Sequence, residues 1–164
     1  MADQAENTDG EGGAVWVALR DVQPLHGGLN LYLWRDGAGY GQIVIRRPSI
    51  TPLQERRYQF HLPQEKTLAV FSLISASSFR EIPSSSKPGL PDEGRPEIHV
   101  KFQSGDVVKV SRWSNNDPHP AFDAIYRALI AVMEPLHGQP PLFDGQYDPK
   151  WAPEGFGFSS ADRK

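Results

Sequence analysis

The chain has 164 residues, of which 38% are hydrophobic and 23% charged, and its formal net charge is −3. That is the size and composition of one globular domain, and it excludes a collagenous or wholly disordered chain. The lack of cysteine excludes disulfide scaffolds, thiolate metal sites, iron–sulfur clusters and cysteine nucleophiles.

Residues 1–13 carry four acids, no base and no apolar stretch, so they do not read as a signal peptide. They read as a disordered acidic leader. No apolar run reaches the ~18 residues of a membrane span, so no membrane association is expected. The chain is placed in the cytoplasm, unless a leader precedes it. Ala14 to Val22 alternates weakly through Val15, Val17 and Leu19 and reads as an extra edge strand.

The first firm strand is Leu29 to Trp34, with Leu29, Leu31 and Leu33 toward the core and Asn30, Tyr32 and Trp34 opposite. A glycine-rich turn, RDGAGYG, leads to a second strand from Gly41 to Arg47, and the pair reads as a hairpin. A third strand runs from Arg56 to Leu62, with Tyr58, Phe60 and Leu62 on one face. Pro63 and Glu65 suit a helix start, and Leu68, Phe71 and Ile74, with Val70 and Leu73 beside them, form a helical stripe to about Ser75. A strand over the same residues is the rival reading.

Residues 76–97 form a long Ser- and Pro-rich loop, of a length that is often functional or mobile. Phe79 and Ile82 are expected to pin its start to the core. Ile98 to Phe102 and Val107 to Trp113 are strands joined by a turn around Gly105. Asp117 and Pro118 then read as cap and first residue of a second helix. Its core face is Phe122, Ile125, Tyr126, Leu129, Val132 and Met133.

These elements predict an α+β fold: a mostly antiparallel sheet of about five strands, in the order β-β-β-α-β-β-α, with two helices packed on one face. The domain spans 14–138, between the 1–13 leader and a Pro/Gly/aromatic C-terminal tail over 139–164. That tail holds Phe143, Tyr147, Trp151, Phe156 and Phe158, and disordered tails are usually poor in aromatics. Two readings stay open: Trp151 and Phe156 anchor the tail on its own sheet, or they dock on a partner as hot-spot aromatics.

Five histidines stand at 26, 61, 99, 119 and 137, none at helical metal-ligand spacing. His61 and His99 would share a face if their strands were neighbours, with Asp92 or Glu93 as a third ligand. The simpler reading is exposed strand histidines, and no metal or cofactor is expected. Adjacent Asp92 and Glu93 lack the contrasting surroundings that separate two catalytic carboxylates, and with Arg95 they read as a loop clasp or partner contact. Trp113, Asn115, Asn116, Asp117 and His119 crowd the start of the second helix, where turn and cap explain the Asn and Asp residues. The function-bearing version is a polar pocket rimmed by Trp113, with His119 as donor or base, and exposed helix amides would favour an anion there. Neither a G-x-S-x-G elbow nor a phosphate loop is present. Arg46, Arg47, Arg56 and Arg57 fall within 12 residues, but they read as the solvent faces of two strands. With the acidic balance of the chain, no nucleic-acid partner is expected.

Gly89, Pro91, Asp92 and Glu93 form a G-x-P-D-E loop, Trp113 ends a strand, and His119, Phe122 and Asp123 belong to an H-P-x-F-D helix start. Over roughly residues 29–134 this pattern resembles a group of small uncharacterised bacterial proteins. The resemblance implies the strand–helix order above and a bacterial origin, and it implies no activity. The function expected is a non-catalytic protein-binding module of immunity, inhibitor or accessory type. Its contacts would lie in the 84–97 loop or the tail, through Asp92, Glu93, Arg95, Trp113, His119, Trp151 and Phe156. The alternative is a small hydrolase-like enzyme with its polar site near Trp113, Asp117 and His119.

Overall fold

The computed structural model describes residues 12–91, 93–113 and 116–156. Seven strands and two α-helices follow one another along it: β1 (Ala14–Gln23), β2 (Gly27–Trp34), β3 (Ala38–Ile45), β4 (Gln54–His61), α1 (Gln64–Ala76), β5 (Glu97–Phe102), β6 (Val107–Ser111), α2 (Pro120–Met133) and β7 (Phe143–Gln146). The strands form one sheet in the order β6-β5-β1-β2-β3-β4-β7, and every neighbouring pair is antiparallel. The α+β class and the antiparallel sheet are as expected, but the sheet has seven strands rather than about five. None of the described helices is long and apolar enough to cross a membrane.

The two added strands have different causes. β1, expected as an edge strand over Ala14 to Val22, lies instead in the middle of the sheet, between β2 and β5. Val17 and Leu19 face the helices while Trp16 and Ala18 face the other way, and all four are buried. A strand buried on both sides loses the apolar–polar alternation that marks a half-buried one, which is why its signal was weak. β7 comes from the tail: Phe143 pairs with Arg57 and Gln146 with Gln54, extending the sheet beyond β4.

The β2–β3 hairpin turns at Gly37, whose φ of 97° is a region that favours glycine. The Asp36 carboxylate accepts from the Ala38 amide and tightens the turn. Helix α1 confirms the helical reading of this segment, with its roll corrected. Thr67, Val70, Phe71 and Ile74 are buried, whereas Leu68 and Leu73 remain 48% and 38% exposed. The Thr67 hydroxyl donates to the Leu62 and Pro63 carbonyls at 3.2 and 3.0 Å, which fixes a polar residue on the inner face. Helix α2 buries Phe122, Ile125, Leu129 and Met133 at the predicted spacing.

Both helices pack on the face that carries Val17, Leu31, Leu33, Ile43, Tyr58, Ile98 and Val100. The opposite face has a smaller core of Trp16, Ala18, Tyr32 and Phe156, flanked by Trp34, Tyr40 and Trp151. The chain beyond β7 supplies its cover: the Phe156 ring lies 4.7 Å from Trp16 and 4.0 Å from Trp34. Trp151 meets Tyr32 edge-on at 5.8 Å. Of the two roles weighed for these aromatics, anchoring on the chain's own sheet is the one seen through Phe156.

Candidate functional site

The loop between Ile82 and Pro96 is built onto β6 and onto the segment before α2. Phe79 and Ile82 are buried at its start. Ser85 donates its amide to the Ser111 carbonyl at 2.8 Å, and its hydroxyl accepts from the Trp113 amide at 3.0 Å. The Ser84 hydroxyl accepts from the Ser111 amide at 3.1 Å. Two loop serines therefore satisfy the Ser111 end of the outer edge of β6, where a further strand would otherwise pair.

Trp113 is the platform beneath the loop. Its Nε1 donates to the Lys87 carbonyl at 2.6 Å. Its ring lies so close to Gly89 that a Cβ there would come within 2.7 Å of ring carbons, so any larger residue would force the ring or the loop to shift. The Arg95 guanidinium stacks over the same ring at 4.8 Å, while its Nε donates to Ser111 Oγ at 2.6 Å and its Nη2 to the Ser85 carbonyl at 2.8 Å. Glu93 closes the loop tip: one carboxylate oxygen accepts from the Leu90 amide at 2.9 Å, the other from the Asn116 amide at 2.8 Å. The structure thus brings Glu93, Arg95, Trp113 and Asn116 together, as a clasp. Asp92 and Asn115 lie outside the described residues.

The start of α2 differs from expectation by two residues. Its N-cap is His119, whose Nδ1 accepts from the Phe122 amide at 3.3 Å, and Pro120 opens the helix. The Asp123 carboxylate accepts from the His119 amide at 3.2 Å and completes a reciprocal cap. Asp117 is drawn away by Arg112, which reaches its carboxylate at 3.1 Å and also donates to the Pro83 carbonyl at 2.6 Å. His119→Ala is therefore expected to cost about 1 kcal/mol of stability, and His119→Asn to recover most of it. Urea unfolding checks this, and an unchanged midpoint in the Ala variant would remove the cap assignment.

The other candidates separate in space. Trp151 and Phe156 lie on the covered aromatic half of the opposite face. The strands carrying His61 and His99 have β1, β2 and β3 between them, so these histidines stand roughly 19 Å apart, given ~4.8 Å per strand. Among the described residues no group of three or more His, Asp and Glu gathers where a metal ion would bind. Arg47 and Arg56 both reach Asp144, at 3.7 and 3.3 Å, Arg57 pairs with Glu55, and Arg46 donates to the Leu25 carbonyl.

Two features escaped sequence reasoning. The first is a buried polar chain across β2, β3 and β4. Asn30 Nδ2 donates to Gln42 Oε1 at 2.8 Å, and Gln42 Nε2 donates to Glu55 Oε2 at 2.6 Å. Asn30 is 3% exposed, and Gln42 and Glu55 are wholly buried. Glu55 also accepts the Asp148 amide of the tail at 2.8 Å. Alternation alone puts these side chains on the face away from the helices; that the tail covers them is not visible in their own pattern.

The second is a cleft of about 280 Å³ on the same face, lined by Arg20, Asn30, Arg95, Glu97 and Tyr147 together with the Asp21–Gln23 end of β1. A hydrogen bond with His99 holds the Glu97 carboxyl below its ordinary range, outweighing the opposing effect of burial. Burial pushes the Asp21 carboxyl up, partly offset by the Tyr126 hydroxyl that donates to it at 2.6 Å. Burial likewise pushes the Tyr147 hydroxyl up and carries Tyr32 to about 12, so both phenols stay protonated near neutrality.

No family model, curated protein or solved structure matches this chain.

Proposed function

We propose that the protein is a non-catalytic protein-binding module that presents the 84–97 loop to its partner. The observation that supports this reading is the bracing of an exposed loop that lacks regular secondary structure over most of its length. Trp113, Glu93, Arg95 and Asn116 each hold it through hydrogen bonds. At its tip Leu90 remains 59% exposed. A loop fixed before contact loses little conformational entropy on binding, so a single exposed apolar side chain on it gains in effect. An inhibitor, an immunity protein or an accessory subunit would each use such a surface.

The hydrolase alternative draws less support. Its histidine uses Nδ1 as a helix cap, and its aspartate is paired with Arg112. The resemblance to small bacterial proteins supplies no chemistry to offset this.

Leu90→Asp in the full chain tests the proposal. An exposed substitution is expected to leave stability within about 0.5 kcal/mol. The partner captured by the unaltered protein should bind the variant at least about 30-fold more weakly, the effect of losing one hot spot. Equal capture by both proteins would overturn the assignment to this loop.

A further inference from the structure

We propose that the cleft between β1, β5 and the tail binds a small zwitterion, of the size of a free amino acid or a short dipeptide. This site is separate from the Leu90 tip and does not rest on the protein-binding reading. Three observations support it.

The first is size and access. The cleft holds about 280 Å³, room for roughly nine water molecules at the volume each takes in the liquid. That is the low end of ligand pockets and admits a small metabolite rather than a nucleotide. Its floor includes Asn30, which is 3% exposed, and exposed Arg95 stands at its rim.

The second is chemistry. Val22 is the one apolar residue in the lining. Arg20 and Arg95 bring guanidinium groups, which match a carboxylate in two-pronged fashion. Glu97 brings a carboxylate that is ionised at neutral pH and suits an ammonium group. Arg20 and Glu97 are register partners on β1 and β5, so opposite charges stand on adjacent strands of one face. A purely anionic ligand would meet Glu97, and a purely cationic one would meet the two arginines. A molecule carrying both charges satisfies both sets.

The third is rigidity. Arg95 is clamped by Ser111, the Ser85 carbonyl and the Trp113 ring. Asn30 is locked through Gln42 to Glu55, and its Oδ1 accepts the Asp21 amide at 3.2 Å. Donors and acceptors that are already oriented avoid ordering costs when a ligand arrives.

The test is calorimetric titration of the full chain with each standard amino acid and with diglycine, beside acetate, methylammonium and glucose. Amide shifts of Arg20, Asn30 and Glu97 are followed by NMR over the same titrations. At least one zwitterion is expected to bind saturably below about 10 mM and to move those amides, while the three controls do not. Glu97→Gln and Arg95→Gln should each weaken that zwitterion about 10- to 100-fold, the loss of one charge-assisted hydrogen bond. If Arg95→Gln loosens the loop, Glu97→Gln and the amide shifts still decide the matter. No binding by any zwitterion, equal binding of acetate or glucose, or affinity indifferent to Glu97→Gln would each overturn the proposal.

Discussion

Glu55→Ala is expected to lower the unfolding free energy by about 3–5 kcal/mol, because it removes a buried acceptor from two donors and from the half-buried Arg57 guanidinium. Glu55 is fully buried between two strands and the tail. Without its carboxylate, Gln42 Nε2 and the Asp148 amide lose their acceptor and Arg57 loses its ion-pair partner. Glu55→Gln keeps the shape and one acceptor, so its cost should be smaller, about 1–3 kcal/mol. Guanidinium unfolding followed by tryptophan fluorescence separates the two. A loss below about 1 kcal/mol in the Ala variant would mean that water or a neighbour replaces the carboxylate, and that the chain Asn30–Gln42–Glu55 does not brace the cleft.

Phe156→Ala should cost about 3 kcal/mol, the lower range for removing a buried phenylalanine. Phe156 is 5% exposed and touches Trp16, Tyr32 and Trp34. Its loss should also speed amide exchange in β7, since β7 and Phe156 belong to one covering segment. An unchanged midpoint together with unchanged exchange would show that the aromatic face is held without this residue. The same result would return Trp151 and Phe156 to the role of docking residues.

Much of the helical side was legible from residue order. The spacing of Phe122, Ile125, Leu129 and Met133 states a buried helix face directly, because a 3.6-residue period leaves the same mark wherever the helix packs. Leu29, Leu31 and Leu33 did the same for β2. Leu68 misled, since an apolar residue one step off the stripe is indistinguishable from a core residue until the Thr67 hydroxyl sets the roll. The clasp of Glu93 and Arg95 was readable as a clasp. That Trp113 is the platform for both the loop and Arg95 was not, because the contact joins segments about 20 residues apart.

By itself, then, the sequence determined the α+β class, the helix periods, the hairpin turns and the absence of thiol chemistry. Each depends on neighbours within a few positions, where covalent geometry dictates who meets whom. Only the tertiary structure decided that β1 is central, that β7 completes the sheet, and that a polar chain and a charged cleft lie beneath the tail. Glu55 and Asp148 are far apart in the chain and meet because the tail folds back over β4. Burial of a polar side chain is set by what covers it, and local residue order carries no record of that cover.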